Sequence, residues 1–135
     1  MPGKKDDAPL KEKIEAQMTI EAPNVLEDNF ELANQFIKVT KYGKVEVQNK
    51  DKISNKDAIL LYLIGKRYAN AAGYSDTDYA GNRELMDELG SVYSDLQELQ
   101  EEDSIEQIKR GPLTYHRISL TLVEPTLKHI KERVK

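Results

Sequence analysis

Two groups of side chains in the second half of the chain have the chemistry needed to bind a nucleic acid. One group offers hydrogen-bonding side chains from a predicted helix: Tyr93, Ser94, Gln97 and Gln100. The other is basic and aromatic and surrounds the turn of a predicted β-hairpin: Lys109, Arg110, Tyr115, His116 and Arg117. Gln and Ser can hydrogen-bond the edges of bases, whereas Lys and Arg hold phosphates. We therefore expect these residues to contact double-stranded DNA.

The number of basic residues in the hairpin determines how strongly we expect DNA binding to depend on salt. With Lys109, Arg110 and Arg117 as the phosphate contacts, the logarithm of the binding constant should fall with a slope of about −3 against the logarithm of the salt concentration. A second interpretation stays open, in which the charged hairpin end is simply solvated and discourages pairing of its edge with other chains.

The helix that should contact DNA carries more acid than base. From Asp76 to Glu106 there are eleven Asp and Glu residues against one Arg. Because successive helical residues lie about 100° apart, the acids Asp95, Glu98 and Glu102 should occupy one flank and the hydrogen-bonding residues another. DNA binding is therefore compatible with the charge. The alternative is a protein-interaction module whose acidic helix binds a basic protein partner.

Composition and length restrict the class of protein. A chain of 135 residues with 39% hydrophobic and 33% charged residues fits one globular domain. It contains no cysteine, which excludes disulfides and thiolate zinc sites and is compatible with a reducing compartment. The sequence shows neither an apolar run long enough to span a membrane nor a signal peptide, so we expect a cytoplasmic protein without a membrane partner.

Motifs for catalysis are missing from the sequence. It has no Gly-rich phosphate loop, no Gly-x-Ser-x-Gly elbow and no His-Glu-x-x-His pair. The two histidines, His116 and His129, lie on different predicted elements. We therefore predict no enzymatic activity, no cofactor and no metal site.

The first half of the chain should build the core beneath the proposed DNA contacts. A first helix should begin at the N-cap Asn24 and have one apolar face, formed by Leu26, Phe30, Ala33 and Ile37. The alternation over Ile37–Val47 predicts a β-hairpin. Ser54 should cap the next helix, which is apolar on nearly every side and should end at Gly73. Lys66 and Arg67 in its later turns suit the negative end of the helix dipole.

Two short helices should precede the basic hairpin. The first, from Arg83 to Leu89, should end at Gly90 and bury Leu85, Met86 and Leu89. The second should run from an N-cap at Ser91 to Glu102. Its core residues should be Val92, Leu96 and Leu99.

The end of the chain should return to the core. A hairpin over Ile105–Thr121 should turn at Gly111-Pro112, with three inward-facing residues, Ile118, Leu120 and Leu122. A last helix should restart at Glu124-Pro125. Its apolar seam can pack on the core or pair with a second copy, and it consists of Val123, Leu127, Ile130 and Val134.

Residues from about 55 to 121 resemble a winged helix-turn-helix domain of the kind found in MarR- and ArsR-type regulators. The stretch L-Q-E-L-Q-E-E-D-S-I-E-Q-I is similar to a leucine-paced recognition helix that runs into the first strand of the wing. The resemblance implies an α+β fold with a three-helix core and a β-hairpin wing, with an N-terminal helix and hairpin before it and a C-terminal helix after it. It also implies a homodimeric transcription regulator. We expect one domain over residues 24–135 and a flexible N-terminal arm over residues 1–23.

Overall fold

The computed structural model describes residues 22–134, with side chains from Val25 onward. This range contains six α-helices: α1 (Ala22–Asp28), α2 (Phe30–Asn34), α3 (Asn55–Ala71), α4 (Asn82–Leu89), α5 (Tyr93–Glu101) and α6 (Leu120–Val134). It also contains five strands: β1 (Ile37–Val39), β2 (Val45–Val47), β3 (Ala80–Gly81), β4 (Glu106–Arg110) and β5 (Leu113–Arg117). The predicted α+β class is confirmed. None of the helices in the described range is long and apolar enough to cross a membrane.

The strands form two small antiparallel sheets. β1 pairs with β2 in the predicted hairpin, with Ile37 opposite Val47. β5 is the central strand of the second sheet and lies between β3 and β4. The register places Gln107 of β4 and Ala80 of β3 on either side of His116. Strand β3 thereby joins the start of α4 to the β4–β5 hairpin.

Helix α3 lies at the centre of the core. Its N-terminus is capped as predicted, since Ser54 Oγ accepts a hydrogen bond from the Asp57 backbone amide at 3.1 Å. Four side chains in its middle are 0% exposed: Ile59, Leu61, Leu63 and Ile64. The chain leaves the helix at Gly73, whose φ of +80° favours glycine. The prediction of a broadly buried helix between Ser54 and Gly73 is confirmed.

The prediction that Lys66 and Arg67 serve the dipole of α3 is wrong. Lys66 Nζ lies 3.2 Å from Glu84 Oε2 on α4, and the Lys66 side chain is only 8% exposed. Arg67 Nη1 lies 2.7 Å from Asp78 Oδ2 in the segment before β3, and the Arg67 side chain is 13% exposed. Neither residue lies in the last turn of α3, where the helix dipole acts. Lys66 and Arg67 instead join α3 to carboxylates of neighbouring elements.

The first predicted helix is in fact two helices. α1 begins at Ala22, so Asn24 lies inside it and the predicted N-cap is wrong. The helix breaks at Asn29, whose side-chain amide donates to the Val25 carbonyl at 2.9 Å and competes with the backbone hydrogen bonds. α2 starts at Phe30, which is 54% exposed. The predicted arm lies outside the described residues up to residue 21, and its last two residues belong to α1.

Helices α4 and α5 differ from the prediction in the burial of Met86 and in the residue at which α5 begins. Met86 is 46% exposed rather than buried, because the short helix α4 presents only a narrow face, centred on Leu85, to the core. The predicted Ser91 N-cap is wrong, since α5 begins at Tyr93 after Val92 has turned inward. The three predicted core residues of this segment are buried: Val92, Leu96 and Leu99.

The second hairpin is shorter than predicted. β5 ends at Arg117, and α6 begins at Leu120, before the predicted restart at residues 124–125. Ser119 makes this transition, since its carbonyl accepts a hydrogen bond from the Leu122 amide at 3.0 Å. Leu120 and Leu122 therefore pack on the core from a helix rather than from a strand, and Pro125 lies inside α6.

The apolar seam of α6 packs on its own chain. Val123, Leu127 and Ile130 are each 0% exposed and belong to the core cluster. Farther along α6, Arg133 donates two hydrogen bonds to the Asp57 carboxylate at the start of α3, at 2.9 and 2.7 Å. The seam therefore serves the core of this chain rather than a contact between two copies.

Candidate nucleic-acid interface

Helix α5 and the β4–β5 hairpin border an open cleft of about 280 Å³ that is lined mainly by polar residues. Three of the predicted base-contacting residues line it: Tyr93, Gln97 and Gln100. The other lining residues come from α4, α5 and the hairpin: Asn82, Leu96, Gln107, Thr114 and His116. Ser94 is exposed but lies outside this lining. The cleft thus offers amide and hydroxyl groups, and no acidic or strongly basic side chain lines it.

His116 joins three elements beneath the cleft. It is 2% exposed. Its Nε2 atom lies 2.6 Å from Asn82 Oδ1 at the start of α4, and its Nδ1 atom lies 3.2 Å from Gln100 Nε2 on α5. Burial lowers the pKa of the His116 imidazole below its usual value, so the ring is neutral at pH 7. A neutral imidazole can hold both amides at once, because one nitrogen donates and the other accepts.

The burial of His116 implies a loss of stability in mild acid. The folded protein binds the imidazole proton more weakly than the unfolded chain, in which a histidine pKa is about 6.5. The stability that neutral His116 contributes is therefore complete above about pH 6.5 and is lost as the pH falls from there towards the folded-state pKa. We expect the free energy of unfolding to decrease from about pH 7 to pH 5 by at most about 1.4 kcal/mol per pH unit from this group.

Urea denaturation across this pH range, with two histidine variants, measures the contribution. His129, the other histidine of the chain, is exposed on α6. The pH dependence should become shallower in His116→Gln and should match the wild type in His129→Gln. Equal pH dependence in all three proteins would show that another group titrates.

Lys109, Arg110 and Tyr115 lie near the turn of the β4–β5 hairpin, as predicted. Lys109 and Arg110 are exposed, and the Arg110 guanidinium carbon lies 5.4 Å from the centroid of the Tyr79 ring. The Tyr115 ring packs against the Tyr79 ring, and the two ring centroids lie 4.9 Å apart. The turn therefore presents two cations, of which Arg110 packs on the Tyr79–Tyr115 pair.

The prediction that His116 and Arg117 belong to this basic tip is wrong, because the strand register carries both to the end of β5 farthest from the turn. Arg117 Nε lies 3.2 Å from Glu106 Oε1, and its Nη1 lies 3.5 Å from Asp78 Oδ1. Partial burial alone would lower the pKa of the Arg117 guanidinium, but its interactions with Glu106 and Asp78 outweigh burial and raise it. Asp78 also pairs with Arg67 of α3. The charge of Arg117 is therefore balanced within the fold.

A lysine of α3 partly balances the acidic flank of α5. Lys56 Nζ lies 2.9 Å from Glu102 Oε1 and 3.8 Å from Glu98 Oε1. Glu98 and Glu102 are exposed and Lys56 is half-buried, so the pairs contribute little stability. They do show that Glu98 and Glu102 lie on the side of α5 that faces α3. Lys56 and Glu102 line a different cavity, which they share with Arg133 of α6. The predicted separation of acids from hydrogen-bonding residues on α5 is thus confirmed for Glu98 and Glu102.

Comparison with protein-family models, with curated proteins and with solved structures finds no match. The candidate interface is therefore described from the residues of this chain alone. Helical spacing correctly placed Tyr93, Ser94 and Gln97 on the surface, but sequence patterns missed the cleft residues Asn82 and Gln107. Strand β3, which positions Asn82, has only two residues and is too short for an alternating pattern to reveal.

Proposed function

We propose that residues 55–121 form a winged helix-turn-helix unit and that the protein binds double-stranded DNA as a transcription regulator. The order of elements from α3 to β5 supports this: helix, short strand, two helices and a hairpin, with β5 between β3 and β4. In the proposed complex α5 enters the major groove and the hairpin turn lies on the phosphates. The main supporting observation is the uncharged cleft, because it brings Tyr93, Gln97 and Gln100 beside the hairpin.

The phosphate contacts in this proposal are fewer than the sequence alone predicts. Lys109 and Arg110 are exposed at the turn, whereas Arg117 is paired with Glu106 and Asp78. Because counterions are released in proportion to the phosphates neutralised, two contacts give a log–log salt slope of about −2 rather than −3. Electrostatic affinity should therefore be modest, and base contacts from α5 should carry a larger share of the binding.

Removal of both turn cations should eliminate most of this salt dependence. We expect Lys109→Ala/Arg110→Ala to flatten the slope for a mixed-sequence duplex from about −2 towards zero, and Arg117→Gln to leave it near −2. Fluorescence anisotropy of a labelled duplex at several salt concentrations measures the slope. Lys128→Ala removes an exposed lysine of α6 and is the matched control. A wild-type slope of about −3 that becomes shallower in Arg117→Gln would contradict the assignment of Arg117 to an internal ion pair.

A protein-interaction module is the second candidate. The observation in its favour is the exposure of Glu98, Glu101 and Glu102 on α5, next to a hairpin whose Arg117 is already paired. In this case a basic partner would bind the acidic flank, and the same charges would repel DNA.

Amide chemical shifts separate the two candidates. On addition of a mixed-sequence duplex, DNA binding should shift the amides of the β4–β5 turn and of residues 93–97, while a Lys- and Arg-rich peptide should leave them in place. Shifts along the acidic flank with the peptide, together with an unshifted hairpin in the presence of DNA at low salt, would contradict the DNA-binding proposal.

A further inference from the structure

The side-chain amide of Gln100 is oriented by a buried imidazole. Gln100 Nε2 lies 3.2 Å from His116 Nδ1, and His116 is only 2% exposed. On the other side of the ring, His116 Nε2 lies 2.6 Å from Asn82 Oδ1. A carboxamide oxygen can only accept a hydrogen bond, so the ring proton lies on Nε2. His116 Nδ1 must then accept from the amide nitrogen of Gln100.

These hydrogen bonds fix the orientation of the Gln100 amide. One of the two N–H groups of its nitrogen donates to His116. Gln100 lines the cleft beside Tyr93 and Gln97, and its oxygen is the end of the amide that points away from the imidazole. An unconstrained glutamine can rotate its amide and offer a donor or an acceptor equally. Gln100 cannot do so without losing its hydrogen bond to the buried ring. Its oxygen is therefore an acceptor of fixed orientation, with the second N–H group of the amide beside it.

We propose that Gln100 Oε1 accepts a hydrogen bond from the exocyclic amino group of a base in the major groove, and that His116 sets this polarity. In that groove adenine N6 and cytosine N4 donate, whereas guanine O6 and thymine O4 accept. Gln100 therefore selects adenine or cytosine at one position of the duplex and disfavours guanine or thymine there.

The inference rests on the DNA binding proposed above and adds the class of base that one side chain selects. Gln100 is the specificity-determining residue. His116 is a positioning residue, because it lies beneath Gln100 and acts only through the orientation of that amide.

Selection of duplexes from a randomised pool tests the role of Gln100. We expect the wild type to enrich adenine or cytosine at one position by about fivefold over guanine or thymine. Gln100→Ala should lose this preference and keep those at other positions. The controls are Gln97→Ala, in the same cleft, and Ser94→Ala, outside its lining; both should retain it.

Long-range 1H–15N spectra of His116 test the source of the polarity without requiring DNA. We expect the Nε2–H tautomer, with an unprotonated Nδ1. The Nδ1–H tautomer would overturn the inference, because Gln100 would then turn its oxygen towards the ring and its N–H groups towards the base.

The two measurements separate failure of the inference from failure of the proposed function. Enrichment of particular duplexes that Gln100→Ala leaves unchanged would overturn the role of Gln100 and leave DNA binding intact. A wild-type protein that binds no duplex at low salt would overturn the proposed function, and the role of Gln100 with it, whichever tautomer is found.

Discussion

Replacement of Glu84 by alanine should lower the free energy of unfolding by about 3 kcal/mol, because two buried polar groups lose the same partner. Tyr62 Oη donates a hydrogen bond to Glu84 Oε2 at 2.6 Å, and Lys66 Nζ lies 3.2 Å from that oxygen. Tyr62 is 3% exposed and Lys66 is 6% exposed. Burial and the interaction with Glu84 raise the pKa of Tyr62, so its hydroxyl stays protonated and donates. Breaking a buried ion pair costs about 3–5 kcal/mol. Because Glu84 itself is only half-buried, we expect a loss at the lower end of this range.

Further variants separate the charge of Glu84 from its hydrogen bond. Glu84→Gln keeps an acceptor for Tyr62 but removes the charge beside Lys66, so we expect an intermediate loss. Lys66→Met/Glu84→Ala should lose less than Glu84→Ala alone, because an apolar side chain in place of the ammonium group needs no partner. Urea denaturation followed by circular dichroism measures each free energy of unfolding.

The surface control for this series is Asp87→Ala, which removes an exposed acid from the same helix. It should remain within about 0.5 kcal/mol of the wild type. A Glu84→Ala protein as stable as Asp87→Ala would show that Tyr62 and Lys66 do not depend on Glu84.

Alanine at position 65 should destabilise the protein by about 2 kcal/mol, even though alanine is the better helix former. In an exposed helix interior the change from glycine to alanine contributes about 1 kcal/mol of stability. In α3, however, a Cβ atom on Gly65 would overlap Val45 Cγ1 of β2 and lie 3.0 Å from Ile37 Cγ2 of β1. Val45 and Ile37 are 1% and 5% exposed, so the hairpin would have to move away from α3. The cost of this overpacking exceeds the gain in helix propensity.

A compensating substitution tests the cause of this loss. Val45→Ala removes the two Val45 methyl groups, one of which makes the severe overlap at position 65, and leaves only the Ile37 methyl group at 3.0 Å. In that background Gly65→Ala should be neutral or stabilising, with a coupling of about 1 kcal/mol or more in the double-mutant cycle. Additive effects, or a Gly65→Ala protein more stable than the wild type, would contradict close packing of the hairpin on α3.

Local patterns predicted the elements in which apolar spacing and end signals agree. Helix α3 has a continuous apolar run from Ala58 to Ile64, and both ends of the helix were found from the residue types of Ser54 and Gly73. The β1–β2 hairpin follows from alternation around its turn, since a strand buried on one face has a period of two. The errors at Asn29 and Ser119 have a shared cause. The Asn29 side-chain amide donates to the Val25 carbonyl, and the Ser119 backbone carbonyl accepts from the Leu122 amide. An apolar pattern does not record such local hydrogen bonds.

Local patterns predicted the helical side of the candidate cleft and the two cations at the hairpin turn, but not the strand side of the cleft. Tyr93, Ser94 and Gln97 are exposed because helical spacing separates them from the core residues of α5. The strand side depended on the pairing of β3 with β5, which brings Asn82 to His116 across 34 positions of the chain. From the sequence alone, His116 and Arg117 are therefore predicted to be surface cations. Only the pairing of β3 with β5 shows that they are not.

Spacing within a single element was enough to predict the α+β class, most of the buried helix positions and the separation of Glu98 and Glu102 from the hydrogen-bonding residues along α5. The assembled fold alone showed which charged groups are free and which are paired. Lys66 and Arg117 meet carboxylates from other elements, whereas Lys109 stays exposed at its turn. The physical reason is that an ion pair or a buried hydrogen bond depends on distances between elements, and a local periodicity carries no information about those distances.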